Sequence, residues 1–476
     1  VDFEHSRREE VIQYIYQKYG RDRAALAASV VVYRPRSALR DVGKALGFDA
    51  ELIEKLAKSQ DGGYSRSLSV DHMVQAGIDV SHKGMMHCVH LADELLGFPR
   101  HLSQHTGGFV IARDSLSELV PVENASMPDR SVIQWDKDDL DAMGLLKVDV
   151  LALGMLSAIR MTLDELRNKP QTPVTLQTIP PEDKATYNMI CKADTVGVFQ
   201  IESRAQMATL PRLKPRRFYD LVVEVALIRP GPIQGGSVHP YIRRRNGQEP
   251  ITYLHPLLEN SLGKTLGVPL FQEQLMQMAI DIAGFSPGEA DQLRQAMGSK
   301  RSQLRMQQLS DRFYAGMAER GIRGDVADQI FTKMAAFASY GFPESHSVSF
   351  AYLVYSSSWL KLYEPAAFYA GLLNAQPMGF WSPHSLAQDA RRHGVIVRTP
   401  DLLASGALAT LEECAESHGG FAVRLGLSAI RGIGSGLAQQ IEDERVLSGD
   451  YVDAEDLVRR VDELTLPQLE AMATGG

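Results

Sequence analysis

Lys147-Val148-Asp149-Val150-Leu151, in a stretch bounded by Gly144 and Gly154, decides the fold. β-Branched and apolar residues between glycines predict a strand. Alternation sends Lys147 and Asp149 to one face, and Leu146, Val148 and Val150 to the other. A carboxylate within such a strand is costly unless a cation or hydrogen bonds compensate it. A salt bridge to a basic neighbour meets that demand, and so does a metal ion. Val1-Asp2-Phe3 has the same character, an acid between strand formers just before an amphipathic helix. Two such acids on adjacent strands would suit Mg²⁺, a hard cation that takes oxygen ligands beside substrate phosphates. Two metals roughly 3.5–4 Å apart clamp the attacking and leaving oxygens of an in-line phosphoryl displacement.

Outward from these strands the pattern changes. Val11, Ile12, Ile15, Tyr16 and Tyr19 predict a helix over 6–19, with Gly20 as its stop. Residues 21–105 read as short helices broken by Arg34-Pro35, Gly43, Gly62-Gly63 and Gly97, and Phe109–Ala112 as a strand. Residues 155–375 are largely helical, interrupted by the turn-rich segment from Arg229-Pro230-Gly231-Pro232 to Pro240. A smaller β-containing unit follows over 394–430, with Val395–Val397 and Phe421–Leu425 as strands. The fold class is α+β and multidomain: a mixed sheet near the N-terminus, a large helical body and a small C-terminal module.

The 476 residues are 44% hydrophobic and 23% charged, the balance of an ordinary globular chain with about three domains. That excludes a collagen, a mucin stalk and a disordered tail. Cys88, Cys191 and Cys414 lie far apart with no Cys-x-x-Cys pair, so neither a disulfide framework nor a zinc knuckle is supported. No stretch approaches the ~18 apolar residues of a membrane span and no signal peptide is visible, so a cytoplasmic location without membrane contact is expected. The start at Val1, inside a motif, suggests a piece of something longer. Net charge is −8, but it is unevenly spread. Residues 441–476 hold ten acidic and three basic side chains, whereas 201–245 hold nine basic and three acidic. A basic cluster of that kind is a solvated face or a phosphate-binding surface.

Further blocks offer polar groups at loop–helix junctions. Gly197-Val198-Phe199-Gln200-Ile201-Glu202-Ser203-Arg204, and Arg229 ahead of Pro-Gly-Pro, could grip a phosphate or base edge. Capping and turn formation explain their Ser, Pro and Gly equally well. Phe271-Gln272-Glu273-Gln274 and the helix bearing Arg294 and Lys300 follow, then Ser339-Tyr340-Gly341-Phe342-Pro343-Glu344-Ser345-His346-Ser347 before an apolar helix. Gly432-Ile433-Gly434, flanked by Ile430, Leu437 and Ile441, has helix-hairpin-helix spacing, in which glycine amides approach a DNA phosphate independently of base sequence.

These blocks, in this order, resemble the bacterial C-family replicative polymerases, the alpha subunit of DNA polymerase III. The resemblance spans nearly the whole chain. Val1-Asp2-Phe3-Glu4-His5, Phe342-Pro343-Glu344-Ser345-His346-Ser347 and Leu373-Asn374-Ala375-Gln376-Pro377-Met378-Gly379-Phe380 look like the error-prone, damage-induced branch. The resemblance implies a nucleotidyltransferase-like palm over 1–31 and 106–158, a helical thumb over 32–105, helical fingers over 159–385 and a partial helix-hairpin-helix module over 386–476. It implies catalytic Asp2, Asp149 and Lys147, with Asp2 and Asp149 holding two Mg²⁺ ions beside a third acid two residues before Asp2. That acid lies outside the chain, so the chain alone is expected to be inactive.

Gln200, Ser203, Arg204, Arg229, Gln274, Arg294, Tyr340 and His346 match positions around the incoming nucleotide and templating base. Arg36, Arg40, Gly432 and Gly434 match DNA-contacting positions, and His105-Thr106-Gly107-Gly108 a turn returning to the palm. Replicative members commonly have two arginines where this chain has Arg294-Gln295, and Asn where it has Pro343. The implied partners are template–primer DNA, deoxynucleoside triphosphate, a sliding clamp and accessory damage-tolerance proteins. The implied activity is template-directed DNA synthesis in translesion synthesis and repair. A non-catalytic DNA-binding subunit, a metal-dependent nuclease and a replicative rather than error-prone polymerase are the alternatives.

Overall fold

The computed structural model describes residues 1–60, 67–167, 174–228, 238–298, 303–338, 341–462 and 464–475. Two compact units divide the chain, Val1–Leu153 and Gly154–Gly476.

In the first unit, β1 (Asp2–Glu4) leads into α1 (Arg8–Tyr19), which stops at Gly20 with φ 83°. Then come β2 (Ala24–Val32), the helices α2 (Pro35–Ala45), α3 (Ala50–Ser59), α4 (Val70–Gln75) and α5 (Lys83–Leu95), and the long β3 (Pro99–Ile111). β4 (Val122–Asn124), β5 (Ser131–Ile133), α6 (Lys137–Ala142), β6 (Lys147–Asp149) and β7 (Leu151–Leu153) complete it. Five strands form one mixed sheet in the order β4-β5-β2-β3-β6, while β1 pairs in parallel with β7.

β2 corrects the expectation of helices throughout 21–105, as does the part of β3 before residue 105. Its Ala24-Ala25-Leu26-Ala27-Ala28 run favours helix by local propensity. Yet β2 lies mid-sheet, buried on both faces, where small side chains let helices and loops approach closely. Ala24, Leu26, Ala28 and Phe109 pack with Ile12, Ile15 and Tyr16 of α1. Ala25, Ala27 and Val110 face the other way, onto Leu116, Val120, Ile133 and Leu140. Each fully buried large apolar side chain contributes ~1.5–3 kcal/mol, enough to override a propensity difference of a few tenths. α2, α3, α4 and α5 close a separate core of Ala38, Leu39, Leu56, Met73, Met85 and Cys88.

In the second unit α7 (Gly154–Arg167), α8 (Lys184–Cys191), α9 (Arg204–Leu213), α10 (Phe218–Leu227), α11 (Val238–Arg245) and α12 (Glu259–Leu262) precede α13 (Gln272–Ala283). α14 (Pro287–Gly298), α15 (Gln303–Glu319), α16 (Asp325–Ala338), α17 (Glu344–Tyr363), α18 (Pro365–Asn374) and α19 (Pro383–Arg392) follow. α17 is the buried axis, packed by α8, α10 and α18. α13, α14, α15 and α16 enclose a second core around Leu275, Ile282, Phe313 and Ile330.

A three-stranded sheet, order β8-β10-β9, combines β8 (Val397–Arg398), β9 (Thr410–Glu413) and β10 (Phe421–Arg424). The strand expected over 395–397 is thus shifted, and β9 carries no clear alternation in its sequence. α20 (Ser435–Ser448), α21 (Ala454–Arg460) and α22 (Leu466–Gly475) close the chain around Ile430, Ile433, Ala438, Ile441 and Leu457. Among the described residues, no helix is long and apolar enough to cross a membrane.

Candidate active site

The first-unit acids are brought together by a change of strand partner. β6 runs antiparallel to β3, with Asp149 opposite Gly108. One residue later, after Val150, the same chain continues as β7 and pairs with β1, placing Asp2 opposite Leu151. The Val1 nitrogen donates to the Asp149 carbonyl at 2.8 Å, and the Leu151 amide to the Val1 carbonyl at 3.0 Å. Asp2, opposite Leu151, therefore lies two residues along the register from Asp149, roughly 8 Å between α-carbons from the strand spacing and rise. Both side chains are partly open to solvent.

Lys147 shares the Asp149 face, and its Nζ donates to Asp149 Oδ1 at 2.5 Å. The strand acid is compensated by a salt bridge to a lysine two residues away, and its carboxylate remains 38% exposed. The turn opposite is built around this pair. A Cβ on Gly108 would stand 2.8 Å from His105 Nδ1 and 3.0 Å from Lys147 Cδ, and one on Gly107 2.3 Å from the Val150 carbonyl. Only glycine leaves room for the lysine stem. His105 Nδ1 accepts from the Gly107 and Gly108 amides at 3.2 and 2.7 Å. Partial burial and the Lys147 charge hold the imidazole below its usual range, against Asp149, so that Nδ1 stays free to accept. Arg8 ties α1 to the same turn through the Val150 and Thr106 carbonyls.

The Asp2 and Asp149 carboxylates offer hard, partly exposed oxygens, the ligand type a divalent cation takes, and the Lys147 ammonium occupies only Oδ1 of Asp149. Among the described residues one three-donor cluster, Asp194, Asp389 and His393, also has ligand-like spacing. It does not fit a metal. The fully buried Lys361 ammonium sits between its carboxylates, 2.9 Å from Asp389 Oδ2 and 3.2 Å from Asp194 Oδ1, and supplies the positive charge itself.

In the second unit, motif blocks far apart in sequence meet near the N-terminus of α17. Phe199 packs edge-on against Phe350, which contacts His346, which contacts Phe342, with ring centroids 5.0, 4.1 and 5.3 Å apart. The Gln272 amide donates to the Phe342 carbonyl at 3.0 Å and the Glu344 amide to Glu273 Oε2 at 2.9 Å, joining the starts of α13 and α17. Gln206 Nε2 donates to the Ile228 carbonyl at 3.2 Å, tying the first turn of α9 to the residue before Arg229. Arg204 is exposed at the start of α9, and Gln200 adopts a left-handed backbone with φ 57°. Arg229 and Tyr340 lie outside the described residues.

Several side chains are already engaged. Gln274 is a correction to the expected nucleotide contact: it is buried, with Oε1 accepting from the Leu270 and Phe271 amides and Nε2 donating to Ser261 and Thr265. Its amide has no capacity left for a ligand, because it closes the turn ahead of α13. Ser203 caps α9, accepting from the Gln206 amide at 3.3 Å. Arg294 pairs with Asp291 at 2.8 Å. On α2, Arg40 forks onto Glu54 and Arg36 onto the Gln60 carbonyl, both while exposed. At the C-terminal hairpin Gly432 has φ 87° and its carbonyl accepts from Gln468 Nε2 at 3.1 Å, while a Cβ on Gly434 would meet nothing within 4 Å.

The sequence reading missed the acids and base beneath the 194–203 loop. His393 bridges Asp194 Oδ2 through Nε2 and the Asp389 carbonyl through Nδ1, each at 2.8 Å. Hydrogen bonding to Asp194 raises its pKa against burial, and Asp194 is held at about 2 by His393 and Lys361 despite desolvation. Glu224 on α10 is fully buried with no partner for either oxygen among the described residues, and desolvation pushes it up to about 8. Only an acid inside an otherwise apolar helix, Leu221-Val222-Val223-Glu224-Val225, signalled it.

Comparison with known proteins defines the class. Residues 1–152 match the bacterial DNA polymerase III alpha NTPase domain, 155–321 the bacterial DNA polymerase III alpha subunit finger domain, and 394–476 a helix-hairpin-helix motif. The chain belongs to the bacterial DNA polymerase III alpha-subunit family. Within it, the chain is 57% identical to the error-prone DNA polymerase of Nocardia farcinica over 479 residues, covering 100% of this chain and 40% of that protein. It is 54% identical to the error-prone DNA polymerases of Bordetella bronchiseptica and Mycobacterium bovis, covering 99% and 100% of this chain and 45% and 42% of those proteins. The chain thus spans less than half the length of these curated relatives.

Proposed function

We propose that the chain is the palm, thumb, fingers and partial helix-hairpin-helix portion of an error-prone DNA-directed DNA polymerase, with the boundaries expected from the sequence. In the intact protein a primer 3′-hydroxyl attacks the α-phosphate of a deoxynucleoside triphosphate paired to the template, and pyrophosphate leaves. Asp2, Asp149 and an acid upstream of Val1 would hold Mg²⁺, which supplies charge stabilisation to the attacking and leaving oxygens when bound. Lys147, fixed over Asp149 by the shared strand face and the Gly107-Gly108 gap, neutralises charge on the transferring phosphate. Arg204 and Arg294 bind the triphosphate, and Gln200 and His346 orient nucleotide and template base. Positioning and electrostatics supply most of the catalysis in such reactions. Arg36, Arg40 and the Gly432–Gly434 backbone hold template–primer DNA, so that binding weakens steeply with salt.

The observation that carries this reading is the strand switch at Val150, which sets Asp2 beside Asp149 and Lys147. Primer extension by the intact protein with Asp149→Asn tests it: several kcal/mol of lost charge stabilisation corresponds to a loss of about a thousandfold or more. Undiminished extension removes Asp149 from the chemistry. Cutting of a labelled duplex with Mg²⁺ and no nucleotide would instead assign a nuclease.

A further inference from the structure

Glu202 stands in the middle of the Gly197–Arg204 block and is 5% exposed. Its Oε2 accepts from the Gly197 amide at 3.1 Å, across the loop that carries Gln200. On its other side a Cβ on Gly379 would lie 3.2 Å from Oε1. The Phe380 amide donates toward the same carboxylate, and the Trp381 indole nitrogen, buried without a well-aligned acceptor, lies beside it. The loop hangs from below at further points. Lys361 Nζ donates to the Val196 carbonyl at 3.0 Å and pairs with Asp194, and Thr195 Oγ1 donates to the Ile201 carbonyl at 2.7 Å. Ser203 and Arg204 follow directly as the cap and first residue of α9. A buried acid joining two chain segments is costly to the fold, and this one lies two residues before the exposed Arg204.

We propose that Glu202 is a positioning residue of the nucleotide-binding loop, tying the Gly197–Arg204 segment to the Gly379–Trp381 turn so that Gln200 and Arg204 meet a triphosphate in a fixed geometry. This rests on the assignment of Arg204 to triphosphate binding made above. Burial pushes the Glu202 carboxyl up to about 7, against the Gly197 and Phe380 amides, the Trp381 indole and the Lys361 ammonium of α17. The charged group acting on it is that lysine, itself paired with Asp194 and Asp389, while Arg204 lies two residues on, at the start of α9. Ionisation of the acid places a negative charge two residues before Arg204, which opposes an anionic ligand held there.

Single-nucleotide incorporation by the intact protein, with KM and kcat followed across pH, tests this. Wild-type KM for the nucleotide is expected to rise at least about fivefold between about pH 6.5 and 8.5 as the acid ionises. Glu202→Gln keeps an acceptor for the Gly197 amide but cannot ionise, so its KM should change less than about twofold over that span. Glu202→Ala should raise KM about tenfold or more at every pH, with a smaller effect on kcat. Should the alanine variant fail to fold, the glutamine pH profile decides. Arg204→Ala separates the two levels. If it leaves KM unchanged, the nucleotide assignment falls and this proposal with it. If it raises KM while Glu202→Gln keeps the wild-type pH slope, or Glu202→Ala keeps the wild-type KM, the proposal alone is overturned.

Discussion

Replacing Lys361 with methionine isolates the network beneath the candidate nucleotide loop. The side chain is 1% exposed and its ammonium has three acceptors: the Val196 carbonyl at 3.0 Å, Asp389 Oδ2 at 2.9 Å and Asp194 Oδ1 at 3.2 Å. Methionine fills the space but leaves two carboxylates without their central cation. Removing one partner of a buried pair costs ~3–5 kcal/mol. The lower end applies here. Asp389 keeps the Tyr369 hydroxyl at 2.7 Å and Arg392, and the partly exposed Asp194 keeps His393. A loss of about 3 kcal/mol, at tenfold per ~1.4 kcal/mol, is an increase of about a hundredfold in local opening. Hydrogen exchange of the Gly197 and Val198 amides in the intact protein reads that opening directly. Because removing the remaining buried charge relieves the imbalance, Lys361→Met with Asp389→Asn should recover part of the protection. Exchange within about threefold of wild type in the single variant would refute this account of the loop's support.

Two other outcomes follow from named contacts. Gly108→Ala forces a methyl against the His105 ring and the Lys147 stem; it should destabilise the first unit by about 1–3 kcal/mol, measured by denaturant unfolding, and lower primer extension by displacing Lys147. For His393, Asp194 raises the folded-state pKa above the unfolded value. Its stabilisation is therefore full below the unfolded pKa, about 6.5, and is lost as pH rises through the higher folded value. The difference in thermal stability between wild type and His393→Gln should be largest in mild acid and shrink on the alkaline side of neutrality, and a difference independent of pH would contradict the pairing.

Local sequence was sufficient where a side chain's fate depends on its near neighbours. The 3.6-residue pattern of Val11, Ile12, Ile15 and Tyr16 determined α1, and Gly20 its end. Alternation determined that Lys147 and Asp149 share a face. The apolar flanks of the Gly432 hairpin determined its small core, and the ordered motif blocks determined the family. Tertiary structure decided what depends on register and burial between distant residues. An alanine-rich run became strand β2 because two layers cover it. Asp2 reached Asp149 only through the exchange of partners at Val150. Gln274 turned inward because the turn ahead of α13 left two amides to satisfy. Phe199, His346 and Phe342 met because α17 carries His346 and Phe350 at one end of a buried helix, between Phe342 on one side and Phe199 on the other. Periodicity reports how a residue faces its own element, whereas the energy of a buried charge or a shared site is set by elements that arrive from elsewhere in the chain.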